Sequence, residues 1–206
     1  GLADGGRPYL ALEYVDGVPI DVYCRGRALD HVLHLMVQVI RAVAYAHGQL
    51  VIHRDLKPAN VLVTADGAPK LLDFGISKLI EGDSPTAEAT ALTRLAGRPM
   101  TLAYAAPEQV LALPVTVTAD IYALGVIAFE MLTGEPPFDV ETAQDMLRVH
   151  ASEMQAPLPS QMRPELTRAF DAPLLDTLRT DPEERTPTAD DVRRQLLRAR
   201  ESLAKR

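Results

Sequence analysis

Residues 53–60 read His53-Arg54-Asp55-Leu56-Lys57-Pro58-Ala59-Asn60, and Asp73-Phe74-Gly75 follows them across Asp66-Gly67. Asp66-Gly67 lies between two β-prone runs, Asn60-Val61-Leu62-Val63-Thr64 and Pro69-Lys70-Leu71-Leu72-Asp73. That dipeptide is a strong two-residue hairpin signal. A tight hairpin lays the end of one run beside the start of the other, so Asn60 and Asp73 can face one metal ion. The loop before the hairpin then presents Asp55 to a substrate. One charged and one neutral oxygen ligand suit Mg²⁺, which keeps several waters and binds through substrate phosphates. Asp55 has no partner by spacing alone, which leaves it to orient a hydroxyl and accept its proton.

The totals narrow the class. A chain of 206 residues suits one domain with a sizeable core. The net charge of −7 does not suit a nucleic-acid footprint. Cys24 is the only cysteine, so the chain has no internal disulfide, and a reducing, cytoplasmic setting is expected. Charge or proline interrupts each apolar stretch before membrane-spanning length. No basic region followed by an apolar core opens the chain, so no signal peptide is expected; it does not begin with Met, which suggests a piece of something longer. His-Glu-x-x-His, paired cysteines, Gly-x-Ser-x-Gly and a Walker-type glycine loop are absent, which argues against zinc enzymes, α/β-hydrolases and P-loop NTPases.

In chain order, Tyr9 to Val15 reads as a buried strand ended by Asp16-Gly17, and Pro19 to Arg25 as a short helix. Asp30 offers an N-cap. Leu29, Leu33, Met36, Ile40, Val43 and His47 form one apolar face of a long helix that Gly48 stops, with His47 a packing or capping residue. Leu50-Val51-Ile52 reads as a short strand. Glu81 to Arg98, poor in large apolar residues, reads as a mobile loop containing Ser84, Thr86, Thr90 and Thr93.

Thr118 caps a second helix, apolar nearly all round from Ile121 to Leu132 and therefore buried, with Gly134 and Pro136-Pro137 ending it. Weaker helices are expected over Glu141 to Ala151 and Ala172 to Arg179, with a proline-rich loop over Ala156 to Pro164. A last helix starts at the Thr188/Asp191 box. The basic residues Arg193, Arg194, Arg198, Arg200, Lys205 and Arg206 read as a solvated helix face, with a juxtamembrane linker as the alternative.

The octet fills every fixed position of His-Arg-Asp-Leu-x-x-x-Asn, and together with Asp73-Phe74-Gly75 and Ala106-Pro107-Glu108 it resembles the eukaryotic-like (Hanks-type) protein kinases. Lys57 resembles the serine/threonine class, and Ala106-Pro107-Glu108-Gln109-Val110 the bacterial members. The resemblance implies an α+β, mainly α, kinase-like fold: the C-terminal lobe with small active-site β-hairpins. It implies a partial kinase domain over 1–206, with the last small-lobe strand and hinge at 1–17, the large lobe at 18–206 and the activation segment at about 73–108.

Position by position, the resemblance implies the roles that follow. Asp55 is the base, Lys57 neutralises charge on the transferring phosphoryl group, and Thr101 bonds Asp55 and Lys57. Asn60 and Asp73 hold Mg²⁺, with Mn²⁺ as a substitute. Leu12 is the gatekeeper, the Glu13 carbonyl and the Val15 backbone bind the adenine edge of ATP, and Leu62 packs beneath adenine. Arg54 receives a phosphate on the activation segment, with Thr90 and Thr93 as the expected acceptors. His53 and Phe74 are structural, anchored on Asp120, whose buried charge needs the backbone N–H groups of the catalytic loop. Glu108 pairs with Arg185.

The expected partners are ATP and a protein substrate bearing Ser or Thr, with a homodimer of a longer parent as a further expectation. The sequence has no Gly-x-Gly-x-x-Gly and no Val-Ala-x-Lys before Leu10, parts that such kinases carry upstream; the reading is a truncated domain, inactive alone. The alternatives are a pseudokinase-like interaction module and a small-molecule kinase of the aminoglycoside type.

Overall fold

Two helices carry the core, and the rest of the chain is placed against them. The computed structural model describes residues 1–2, 9, 11–73, 102–151 and 153–205. In order, the elements are β1 (Gly17–Pro19), α1 (Ile20–Cys24), α2 (Leu29–Gly48), β2 (Val61–Thr64), β3 (Pro69–Leu71), α3 (Pro107–Val110), α4 (Val117–Thr133), α5 (Ala143–His150), α6 (Pro159–Met162), α7 (Asp171–Leu175) and α8 (Ala189–Glu201). Single 3₁₀ turns lie at Pro58–Asn60, Arg168–Phe170, Asp176–Leu178 and Leu203–Lys205.

Helix α2 buries Val32, Leu33, Leu35, Met36, Val39, Ile40, Val43 and Ala46, the stripe expected from 3.6-residue periodicity. Helix α4 is buried on every side from Ala119 to Phe129, as its uninterrupted apolar run requires. At Gly125 a Cβ would lie 2.0 Å from Thr177 Oγ1, so the bare backbone lets the Asp176–Leu178 turn close onto α4. Helix α8 lies along α2. Arg200 reaches from it to Asp30, with Nε–Oδ1 at 2.7 Å and Nη2–Oδ2 at 2.8 Å. The basic face is therefore in part a clamp between the two helices. Asp30 serves that clamp rather than capping α2, whose N-cap is Ala28, with no side-chain bond.

Helix boundaries depart from the sequence reading at three more points. Thr116, not Thr118, caps α4, its hydroxyl accepting from the Thr118 N–H. The proline-rich stretch contains one helical turn, α6, begun by Pro159 at its first position. Gly48 is still helical. The chain leaves α2 through Leu50 at φ 60°, with Leu50 N–H donating to His47 O and Val51 N–H to Ala46 O. That bond pattern is a Schellman termination with leucine where glycine is favoured. Since Leu50 to Ile52 turns the chain, no strand forms there.

The sheet is antiparallel with order β1-β2-β3. β1 pairs Gly17 with Thr64 and Pro19 with Leu62, whereas β3 pairs Leu71 with Val61 and Pro69 with Val63. The β2–β3 turn is longer than the two-residue form. Gly67 N–H donates to Thr64 O, Thr64 N–H donates to Ala68 O, and Gly67 sits at φ 83°. This is a three-residue loop with glycine in the left-handed position. Of the strand expected over Tyr9–Val15, residues 11–15 form no ladder among the described residues, and Tyr9, which exchanges backbone bonds with Gly1, is exposed, as are Leu12 and Tyr14. An apolar run needs a neighbouring strand to become one, and the three-stranded sheet begins at Gly17.

Candidate active site

The site is built on Asp120, which is buried in the first turn of α4. Its Oδ1 accepts the Arg54 N–H at 2.8 Å and its Oδ2 accepts the His53 N–H at 2.8 Å. His47 Nε2, at the last turn of α2, lies 2.8 Å from the same Oδ2. The buried charge is thus compensated from the loop and from α2 together. His47 does more than close a helix: it joins α2 to α4.

His53 turns the other way. Its Nε2 donates to Leu72 O at 2.8 Å, while its Nδ1 faces the Asp55 N–H at 3.4 Å. That arrangement calls for the neutral imidazole protonated at Nε2. Burial is the largest influence on this ring and lowers its pKa, against the opposing pull of Asp120. His53 therefore ties the loop to the end of β3, a structural role, as expected.

Arg54 adopts the left-handed conformation at φ 65°, unusual for a non-glycine residue, and turns the chain into Asp55. Asp55 is not without partners. Lys57 Nζ lies 2.8 Å from its Oδ2, and Asn60 Nδ2 donates to the same oxygen at 3.1 Å and to the Asp55 carbonyl at 2.8 Å. Pro58 starts the 3₁₀ turn that folds Asn60 back over the loop. Both named donors meet Oδ2, so among the described residues Oδ1 is the oxygen left for another proton. With its amide nitrogen turned to Asp55, Asn60 turns its carbonyl oxygen away.

Beyond β3, Leu72 N–H donates to Asn60 O at 2.9 Å, so the ladder continues to the residue before Asp73. Asp73 itself is exposed and left-handed at φ 51°. In β2, Val61 and Val63 are buried while Leu62 is half-buried on the alternate face. Pro19 lies opposite Leu62, three residues past Asp16, so the segment containing exposed Leu12 and Glu13 and half-buried Val15 leads directly to that face. Thr101, Phe74, Ser84, Thr86, Thr90 and Thr93 lie outside the described residues.

Two further contacts fix the segment that precedes α4. Glu108 in α3 and Arg185 are both buried, and Arg185 donates Nη1 to Oε1 at 2.6 Å and Nη2 to Oε2 at 2.7 Å. Its other N–H groups reach Arg179 O, Thr118 O and Thr180 O, so all five donors of the guanidinium are used. Tyr104 donates its hydroxyl to Glu130 Oε2 at 2.7 Å. Burial raises the Glu130 carboxyl above its usual range, and the Tyr104 bond opposes that rise.

The resemblance to the kinases anticipated the Glu108–Arg185 pair, and with the cost of burying a charge it anticipated the loop amides on Asp120. It did not reveal His47 on Asp120, which lie 73 residues apart, or Lys57 on Asp55, which meet in an irregular loop. Among the described residues no group of three or more His, Cys, Asp or Glu forms a metal cluster, and no helix is long and apolar enough to cross a membrane.

Comparison with known proteins agrees with this geometry. Residues 2–197 match the protein kinase domain. The chain is 34% identical over 197 residues to serine/threonine-protein kinase PknB of Mycobacterium leprae, covering 94% of this chain and 30% of the relative. It is 34% identical over 206 residues to the protein of that name in Mycolicibacterium smegmatis, covering 98% of this chain and 32% of the relative. It is 35% identical over 189 residues to the probable serine/threonine-protein kinase SCO3848 of Streptomyces coelicolor, covering 90% and 27%. The chain thus spans less than a third of the length of these relatives. On the match to residues 2–197 and on these likenesses, the chain belongs to the protein kinase family.

Proposed function

We propose that these residues transfer the γ-phosphoryl group of ATP to a Ser or Thr hydroxyl of a protein substrate. The observation that carries the reading is the Asp55 carboxylate: Lys57 and Asn60 hold Oδ2, which directs Oδ1 to a substrate hydroxyl. The hydroxyl oxygen forms a bond to γ-phosphorus, the bond from γ-phosphorus to the β–γ bridging oxygen breaks, ADP leaves, and the hydroxyl proton passes to Asp55. Lys57, already beside Asp55, neutralises charge on the phosphoryl oxygens. Positioning supplies most of the catalysis.

A divalent ion fits the donors. Asn60 turns its carboxamide oxygen away from Asp55, and Asp73 is an exposed carboxylate at the end of the same hairpin. One neutral and one charged oxygen, without a full protein cage, suit Mg²⁺ or Mn²⁺ bound partly through phosphates. The ion would neutralise the β- and γ-phosphate oxygens. ATP would set its adenine on Leu62, against the backbone of Glu13 and Val15, with Leu12 as gatekeeper. Thr101 would bond Asp55 and Lys57. The Glu108–Arg185 pair favours a protein substrate over a small molecule, since it fixes the segment against which a peptide would lie.

The test uses the complete reading frame that contains these residues. ATP-dependent labelling of a generic basic protein is expected from the wild type and not from Asp55→Asn. Equal labelling by both would end the reading. The 206 residues by themselves are expected to bind ATP weakly and to label nothing at a useful rate, because their sequence has no Gly-x-Gly-x-x-Gly loop and no Val-Ala-x-Lys strand.

A further inference from the structure

We infer that Gln109 is a positioning residue for Asp55, acting through the backbone of Arg54; the inference rests on the reading of Asp55 as the base. Gln109 follows the Arg185-bound Glu108 in α3 and is half-buried. Its Oε1 accepts the Ala106 N–H at 3.0 Å, and its Nε2 donates to Arg54 O at 2.8 Å. The two partners settle which way the amide points: an N–H needs an acceptor and a carbonyl needs a donor.

Arg54 is a left-handed residue, and such a conformation persists only where its surroundings determine it. Its N–H is held by Asp120 Oδ1 at 2.8 Å, and its carbonyl by Gln109. On the far side of that peptide, the Asp55 N–H has, among the described residues, a long 3.4 Å contact to His53 Nδ1. The short bond from Gln109 is therefore the firmer restraint on the peptide plane that carries Asp55. Glu108 and Gln109 divide the work. Glu108 fixes α3 to the C-terminal part of the chain, and Gln109 transmits that fixed position to the catalytic loop 55 residues away.

Gln109→Glu is the informative variant. It keeps length and the acceptor for Ala106, but turns a carboxylate oxygen against the Arg54 carbonyl. Gln109→Met removes both polar groups and adds no charge, so it replaces the first variant should that one not fold. Both are made in the complete reading frame, beside wild type and Asp55→Asn.

Two readouts are taken. Hydrogen exchange of residues 53–56 is expected to quicken several-fold in the variants, while exchange of residues 117–133 stays as in the wild type. Phosphotransfer is expected to show kcat about tenfold lower, the scale on which small misplacements of a catalytic group act, with KM for ATP within about twofold. The ratio of Gln109→Glu to wild-type kcat is expected to rise as pH is lowered, because a protonated carboxyl regains a donor for Arg54 O. Unchanged exchange over 53–56 overturns the inference whatever the activity. Quickened exchange with unchanged kcat overturns it as well. A wild type no more active than Asp55→Asn would instead sink the kinase reading and with it the assignment of Asp55 as the base, and the exchange data would still decide whether Gln109 holds the loop.

Discussion

Glu108 and Arg185, 77 residues apart, meet as a fully buried bidentate pair, and no water-exposed edge remains to soften the loss of either. Removing one member leaves an uncompensated interior charge, which typically costs about 3–5 kcal/mol. Against a domain stability of about 5–15 kcal/mol this is large. Glu108→Ala should therefore lower the melting temperature clearly. Asp73→Asn, at an exposed position, should leave it nearly unchanged while abolishing phosphotransfer. Thermal denaturation of both variants without nucleotide checks this; equal loss would mean the two roles are misassigned.

Gly125 makes a second prediction. A methyl group there would meet Thr177 Oγ1 at 2.0 Å and Thr177 Cβ at 2.7 Å, both on an element packed against α4. Overpacking of this kind typically costs about 1–3 kcal/mol. Gly125→Ala should destabilise by at least that much in chemical denaturation. Adding Thr177→Ala should restore only part, because the Thr177 Cβ remains in the way. Full recovery would show that the hydroxyl alone sets the spacing.

Leu50 predicts a gain. It is 93% exposed, so replacing it gives up almost no burial, and it occupies the left-handed position that ends α2. The left-handed conformation costs a residue with a Cβ about 1–2 kcal/mol. Leu50→Gly should raise stability by about 1 kcal/mol, after allowing for glycine's greater freedom in the unfolded chain. Leu50→Asn should gain less. A lower melting temperature for the glycine variant would mean that the leucine side chain has a contact worth more than the strain.

The pH dependence of stability should carry the mark of His53. Burial lowers its pKa in the folded chain below the ordinary 6.5. In the interval below 6.5 the unfolded chain holds more protons, so this group's contribution to stability falls as pH falls. Glu130 acts in the opposite sense, since its folded pKa is raised: its contribution improves as pH drops toward 4.5. The two are separated by comparing variants. His53→Gln, which keeps a donor for Leu72 O, should lose less stability than the wild type between about pH 7 and 5.5. Parallel curves would assign the slope to another group.

What the sequence made legible was the part governed by local rules or by the cost of burying charge. Asp120 opens an apolar helix, so its need for partners could be reasoned out beforehand, and the kinase resemblance pointed to loop amides, which His53 and Arg54 supply. The stripe on α2, the Thr188 cap and the Gly134 stop obey periodicity and capping chemistry. The misses depended on tertiary partners. Tyr9 to Val15 has strand-like composition, yet residues 11–15 have no ladder partner among the described residues. Lys57 stands two residues from Asp55, and nothing in the spacing shows that the two side chains meet in the loop rather than each reaching outward. Gln109 stood out only as part of Ala106-Pro107-Glu108-Gln109-Val110, because nothing local shows that its amide ends on Arg54.

The Asp120 carboxylate receives both His47, at the close of α2, and His53, at the start of the loop. The intervening residues thus form a ring closed on a single side chain, and its circumference is fixed. The chain must reverse within that ring, which is why a left-handed residue stands at Leu50 in spite of its Cβ. Adding or deleting one residue between His47 and His53 would break the closure on one side or the other. This stretch should therefore tolerate changes of residue type far better than any change of length.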